Sequence, residues 1–320
     1  MEQLTVAPRT GHKTLLYSEL VTNLENLQAD IAILGMPFGS AYGPRSYTND
    51  QTNAPQAIRD VSDRIVRHPD HYDFDIDGPL LQGRNDIRFV DCGDVLPDLN
   101  KPGDHYRRVE LAVREILKTK ALPIVLGGDH GITTPVLRAF SNLAPITLVH
   151  VDAHLDWRDN VNGIKDGLSS PIRRASEMTH VAKIVQIGLR AQGSGRPEDY
   201  EFAKNYGAEL VSAYELHDVG MQAVLDRIPD GGNYYLSIDA DGLDPTIMPA
   251  VDGPAPGGVS FIQARQLIHG LVKKGRVVGM DIVEIQPSKD NASKVTCVTA
   301  GRLIVNLIGA SIRAGYFDKK

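Results

Sequence analysis

Cysteine is nearly absent from this sequence: Cys92 and Cys297 are the only two in 320 residues. They form no spaced framework, which excludes a disulfide-stapled scaffold and a Cys-based zinc site and points to a reducing, cytoplasmic compartment. Cys92 follows a strand-like run and reads as a small buried hydrophobe rather than a nucleophile. Basic residues are not in excess either. With 34 Lys and Arg against 40 Asp and Glu, the net charge is −6, which leaves no electrostatic footprint for nucleic acid. No uninterrupted run of about 18 apolar residues is available to span a bilayer. Residues 1–13 lack the apolar segment of a secretory signal. What is present, 42% hydrophobic and 23% charged residues, is the composition of a globular protein with a substantial core.

From about residue 30 onward, short β-rich runs alternate with longer amphipathic stretches. The expected strands are 31–34, 87–90, 123–126, 146–151, 183–187, 209–212, 234–238 and 277–282. Several are continuously apolar, as strands buried on both faces of a parallel sheet must be. Helical patterns fall at 106–118, 133–141, 222–228 and 261–274, with Ser260 placed to cap the last. The alternation predicts an α/β fold in which a parallel sheet of about eight strands lies between helix layers. One domain over 1–320 accommodates it, with 1–28 as an N-terminal extension. The long polar loops 37–53, 157–171 and 244–258 belong at the carboxyl ends of the strands, where open α/β sheets bind their ligands.

Three expected strands run directly into acidic and imidazole side chains: Gly127-Gly128-Asp129-His130, Asp152-Ala153-His154-Leu155-Asp156 and Asp239-Ala240-Asp241. The i, i+2 spacing in the Asp-led segments would point both side chains to one side of an extended backbone. Glycines at 127 and 128 would let the first strand turn sharply and bring His130 to its neighbours. A single Asp or His at a strand end is ordinarily a cap or a turn residue. Six such groups at one sheet edge repel and are costly to desolvate, so His130, Asp152, His154, Asp156, Asp239 and Asp241 require cations. Oxygen-rich ligation with two imidazoles suits Mn²⁺ and also accommodates Ni²⁺, Co²⁺ or Fe²⁺. His150, just before Asp152, reads as a packed, hydrogen-bonded histidine rather than a ligand.

With these motifs the sequence resembles the ureohydrolases, the family of arginase, agmatinase and related guanidino-acid hydrolases. The resemblance runs from Leu34-Gly35-Met36-Pro37 to the C-terminal helix. It also rests on Ser237-Ile238-Asp239-Ala240-Asp241-Gly242-Leu243-Asp244-Pro245, Pro256-Gly257-Gly258 and Asp281-Ile282-Val283-Glu284. It implies a three-layer α/β/α fold around an eight-stranded parallel sheet, two Mn²⁺ ions, and a trimer or hexamer of identical chains. By the same resemblance one ion takes His130, Asp152, Asp156 and Asp239. The other takes Asp152, His154, Asp239 and Asp241, so that Asp152 and Asp239 bridge. Two such ions generate hydroxide from a shared water at neutral pH, and its attack on a guanidinium carbon yields urea and an amine. Asp241 is the expected proton carrier and Glu284 the expected guanidinium anchor, since a carboxylate accepts two parallel N–H bonds. Asp129 and Asp244 are expected in supporting or turn roles.

The loops depart from the family pattern. Where the family carries a His-Gly pair, this chain reads Lys165-Asp166-Gly167-Leu168-Ser169-Ser170-Pro171. Alignment on the glycine puts Asp166 in the place of the histidine and makes it a candidate substrate contact; alignment on Pro171 puts Leu168 there. The loop after the first strand reads Thr48-Asn49-Asp50-Gln51-Thr52-Asn53-Ala54-Pro55, and Ala250-Val251-Asp252-Gly253-Pro254 replaces a Gly-Thr-rich run. Retained ligands with an altered rim suggest retained chemistry on an altered substrate: agmatine or a guanidino acid, or instead guanidine, an N-methylated guanidine or a biguanide such as metformin, with Ni²⁺ as the alternative metal. Arg196 reads as a solvated loop charge. A non-catalytic subunit partnering a paralogue is the reading of a different class, and the complete ligand set weighs against it. A mononuclear zinc enzyme of deacetylase type would not need all six ligands.

Overall fold

The computed structural model of the protein describes residues 6–7, 13–39, 49–96 and 101–318. Residues 40–48 of the 37–53 loop, including Thr48, and most of the N-terminal segment 1–13 lie outside that set. Ten strands form one sheet: β1 (Val6–Ala7), β2 (Glu19–Leu20), β3 (Ile31–Gly35), β4 (Phe89–Val95), β5 (Leu122–Leu126), β6 (Ile146–Val151), β7 (Val181–Leu189), β8 (Glu209–Ser212), β9 (Asn233–Asp239) and β10 (Arg276–Val283). The eight expected strands are the eight long ones. They run in the order β4-β3-β5-β10-β9-β6-β7-β8, every neighbouring pair parallel. The two-residue strands β1, antiparallel, and β2, parallel, both pair with β4 at the sheet edge. The described part of the N-terminal segment therefore packs onto the domain, with Leu15 and Leu16 fully buried.

Alternation along the strands sorts the core into two layers. Ile31, Ile33, Val149 and Leu236 face the helices α1 (Ala54–Asp60), α2 (Ser62–Ile65), α7 (Ala213–Leu225), α8 (Phe261–Lys274) and α9 (Val295–Arg313). Ala32, Leu34, Leu148 and Tyr235 face α3 (Pro102–Lys118), α4 (Thr133–Ala139), α5 (Pro171–Ser176) and α6 (Pro197–Tyr206). This is the α/β/α sandwich that the strand pattern predicts. Helix α8 begins at Ser260, whose hydroxyl accepts from the Gln263 backbone N–H in a capping box. Helix α9 is long and apolar enough to cross a membrane by length and composition, but most of its apolar stretch is buried in the domain, and its Arg302 pairs with Asp73. It is the core helix of the first layer.

Two expectations need correction. Strand β4 starts and ends later than 87–90, because Asp91 and Asp94 continue it into the interior. Arg59 of α1, fully buried, neutralises both, at 2.8 Å from Asp91 and 2.5 Å from Asp94. No local pattern reveals a strand whose polar residues are satisfied from a distant helix. Helix α7 starts well before the expected 222–228, with Ser212 as its N-cap. Gly220 breaks its helical dihedrals at φ 79°, which is why the amphipathic period reads only in the second half.

Candidate metal centre

Because β5, β10, β9 and β6 are parallel neighbours, their carboxyl ends meet at one edge. Leu126 pairs with Ile282, Val283 with Asp239, and Ile238 with Val151. The next residues of each chain segment therefore converge. His130 follows β5, Asp152 follows β6, Asp239 closes β9 and Glu284 follows β10.

The acidic segments leave the extended conformation at once. Asp152 Oδ1 accepts from the His154 N–H at 2.6 Å, Asp239 Oδ1 from the Asp241 N–H at 2.9 Å, and Asp129 Oδ1 from the Gly131 N–H at 3.0 Å. Each leading aspartate thus ties the backbone two residues on into a tight turn. It is this turn, not an extended strand, that gathers the i and i+2 side chains. Gly128 serves close approach rather than a sharp turn: a Cβ there would lie 1.7 Å from the Phe38 carbonyl oxygen.

The six expected ligands come together. His130 Nδ1 lies 3.1 Å from Asp156 Oδ2, 3.1 Å from Asp239 Oδ2 and 3.4 Å from Asp152 Oδ2. His154 Nδ1 lies 3.1 Å from Asp241 Oδ2 and 3.6 Å from Asp152 Oδ1. All but the half-buried His154 are buried. Yet His130 Nδ1 and Asp152 Oδ2 make no hydrogen bond among the described residues, in spite of these short separations. Lone-pair atoms about 3 Å apart around a common point are what metal–ligand bonds of about 2.1 Å meeting at right angles produce. The donor set fits divalent cations.

A polar scaffold behind the ligands fixes their orientation. Ser237 Oγ donates to Asp281 Oδ1 at 2.7 Å, which leaves its oxygen to accept from His130 Nε2 at 3.1 Å. The proton then sits on Nε2 and the Nδ1 lone pair faces the carboxylates. Thr133 and Tyr235 donate to the other oxygen of Asp281, both within 2.9 Å. The Trp157 indole, a donor only, fixes the carbonyl end of Gln186, whose amide nitrogen in turn donates to His150 Nδ1 at 2.9 Å. His150 Nε2 then carries the proton and faces Asp152 Oδ2 at 2.9 Å. His150 is packed and hydrogen-bonded as expected, and it also stands with His130, Asp152 and Asp156 in a group that could hold a metal.

Arg190, which no local sequence pattern marks, lies under the same edge. Its guanidinium donates to the carbonyls of Asp241, Gly242, Leu243, Gly188, Ala255 and Pro256. Asp244 organises the adjoining turn, accepting from the Thr246 hydroxyl and from Gly257 and Gly258 N–H, and these bonds hold its carboxyl down at about 2.

Without cations the cluster is electrostatically frustrated. Burial, then the neighbouring Asp152, pushes Asp241 up to about 6, and burial raises Asp156 and Asp239 as well. The bond to Asp241 lifts His154 to about 10. Burial would lower His130, but Asp152, Asp156 and Asp239 together raise it.

Glu284 sits beside the cluster in the left-handed region, at φ 64°. Its Oε1 accepts from the His130 backbone N–H at 2.7 Å and its Oε2 from Gln51 Nε2 at 2.9 Å. Burial, then the Asp129 charge, pushes it up to about 8. Between Glu284 and the ligands lies a cavity of about 180 Å³, with Asp239, Asp241, His154, Leu168, Ser169 and Asp252 in its wall. Asp166 is not in that wall: its carboxylate pairs with Arg138 at 3.0 Å, and the loop presents Leu168 and Ser169 instead. Arg196 is exposed and lines a neighbouring groove that shares His154 and Gly193 with the cavity.

Residues 29–309 match the family model described as the arginase family. The chain belongs to the arginase family. An agmatinase from Pyrococcus horikoshii is 32% identical over 287 residues, 89% of this chain and 93% of that one. A guanidinobutyrase from Pseudomonas aeruginosa is 35% identical over 223 residues, 68% of this chain and 69% of the other. Among solved structures, proclavaminate amidino hydrolase from Streptomyces clavuligerus superposes with a TM-score of 0.80 at 26% identity, covering 94% of this chain and 97% of that one. Arginase-family membership makes the chain a hydrolase of guanidino compounds, with a His/Asp cluster where the family's dinuclear metal site belongs.

Proposed function

We propose that the protein hydrolyses a guanidino compound to urea and an amine, on two divalent ions held by His130, Asp152, His154, Asp156, Asp239 and Asp241. One observation carries the reading: the six donors converge, and four of them, His154, Asp156, Asp239 and Asp241, share the wall of one small cavity with Glu284. When bound, ions held by these residues would lower the pKa of a coordinated water to about 7 and so supply the nucleophile.

The chain's own residues do the rest. Glu284 has lone pairs left on both oxygens after its bonds to His130 and Gln51. They accept N–H bonds from a planar guanidinium and hold its carbon toward the aspartates. Asp241, bonded to His154, takes the proton from the attacking water and passes it to the leaving nitrogen. Asp166, engaged with Arg138, has no part in this. Mn²⁺ is the favoured ion on account of the oxygen-rich ligands, with Ni²⁺ second.

The named relatives act on guanidino compounds with different tails, so similarity leaves the tail open. The small cavity and Leu168 in its wall favour a second reading at the level of substrate: guanidine, an N-alkylated guanidine or a biguanide. A urea-release screen decides it, run on Mn²⁺- and Ni²⁺-loaded protein with agmatine, 4-guanidinobutyrate, 3-guanidinopropionate, arginine, guanidine, methylguanidines and metformin. Urea from at least one is expected. None from any, with two ions bound per chain, would overturn the proposal.

A further inference from the structure

We infer that Gln51 is a specificity residue that bridges Glu284 and an N–H of the substrate guanidinium, an inference that rests on the reaction proposed above. Gln51 is buried, and its Nε2 donates to Glu284 Oε2 at 2.9 Å. A carboxamide that gives its nitrogen to a carboxylate must present its oxygen elsewhere. That oxygen is buried and meets no hydrogen-bond donor among the described residues. Other buried polar atoms are unanswered as well, but this acceptor belongs to a side chain already bonded to the expected guanidinium anchor, and a buried acceptor so placed can take a donor from the ligand. Here it stands one amide away from the carboxylate that receives the guanidinium.

The backbone around Gln51 is anchored from both directions. On one side Asp50 Oδ2 accepts from the Ser288 N–H at 2.7 Å, tying the turn Asp50–Asn53 to the loop that follows Glu284. On the other, α1 starts at Ala54 and is anchored by buried Arg59 on Asp91 and Asp94. The backbone at Gln51 is therefore fixed, and the bond to Glu284 sets the direction of the side chain and its free oxygen.

The chemistry that follows is a demand for hydrogen on nitrogen. A guanidinium directs its N–H donors within its own plane, so Glu284 and the Gln51 oxygen together take an edge whose nitrogens carry hydrogen. Methylguanidine, with two unsubstituted nitrogens, offers such an edge; N,N′-dimethylguanidine, methylated on two nitrogens, offers fewer donors and puts a methyl group against a buried carbonyl. A site built around such an acceptor rejects the analogue that lacks the donor.

The test compares the metal-loaded wild type with Gln51→Leu, and with Gln51→Met in case the branched side chain does not fold. Metal content, calorimetric Kd, and KM and kcat are measured for methylguanidine and N,N′-dimethylguanidine. The expected result is an unchanged ion count and methylguanidine binding weaker on the order of 10- to 100-fold. KM should move more than kcat, and the preference for methylguanidine over the dimethyl compound should shrink. Unchanged binding and preference overturn the inference. So does loss of the ions or of the fold in both variants, since Gln51 would then be structural. If no guanidine releases urea but binding still depends on Gln51, the reaction fails and this inference stands. If urea is released and binding ignores Gln51, the reverse holds.

Discussion

Arg190 Nη2 donates to the backbone carbonyl of Asp241 at 2.7 Å, so a buried cation grips the main chain of an expected metal ligand rather than its carboxylate. The same guanidinium holds β7, the turn after β9 and the 255–256 segment. It also accounts for Gly258, where a Cβ would lie 2.5 Å from Arg190 Nη2.

Arg190→Met should therefore leave several buried carbonyls without donors, at a cost of at least about 3 kcal/mol. Arg190→Lys should recover only part, because an ammonium has three donors without the planar fork. Chemical denaturation of the metal-free proteins measures both. Equal stability of the methionine variant and wild type would show that the network contributes nothing.

Asn at Asp156 or Asp241 is expected to lower metal occupancy and abolish urea release while leaving the far-UV circular dichroism and cooperative unfolding intact. Asn keeps the volume but removes the negative charge that the ions require. Wild-type turnover in the Asp241→Asn protein would sink the role given to Asp241.

Ser237→Ala removes the acceptor that holds the His130 proton on Nε2. Metal affinity should fall about 10- to 100-fold, the usual effect of losing a group that orients a ligand. Competition against a chelator of known affinity reads this directly. An unchanged constant would mean that packing alone orients the ring.

The metal-free protein should lose stability as pH rises. Asp241 at about 6 and Glu284 at about 8 stand above unfolded values of about 3.9 and 4.3. Between about pH 4 and 8 the folded state thus holds more protons than the unfolded one, and unfolding becomes easier as pH climbs through that window. His154, raised to about 10, acts in the same direction: its contribution is complete below about 6.5 and lost toward 10. With chelator present, Tm is expected to be lower at pH 9 than at pH 5.5. Metal affinity should rise over the same range, because the ions compete with those protons.

The parallel eight-stranded core, the capped α8 and the six converging donors were legible in the chain itself, since each rests on a local signal: continuous apolar runs, a Ser260–Gln263 pair, and acidic or imidazole groups placed directly after strands. Glu284 was legible through its motif. What the sequence could not decide is how those donors are oriented and what surrounds them. Ser237 and Asp281 were visible as polar residues inside apolar strands, but their pairing spans two strands that meet only in the sheet. Gln51 reaches Glu284 across 233 residues, and Arg190 joins a strand and two loops from separate parts of the chain. Asp166, which alignment on Gly167 puts where the family carries histidine, pairs with Arg138 instead. Local pattern determines which groups stand at a strand end; only tertiary packing decides which buried donor answers which buried acceptor, because that pairing is set by burial in the folded chain and not by spacing along it.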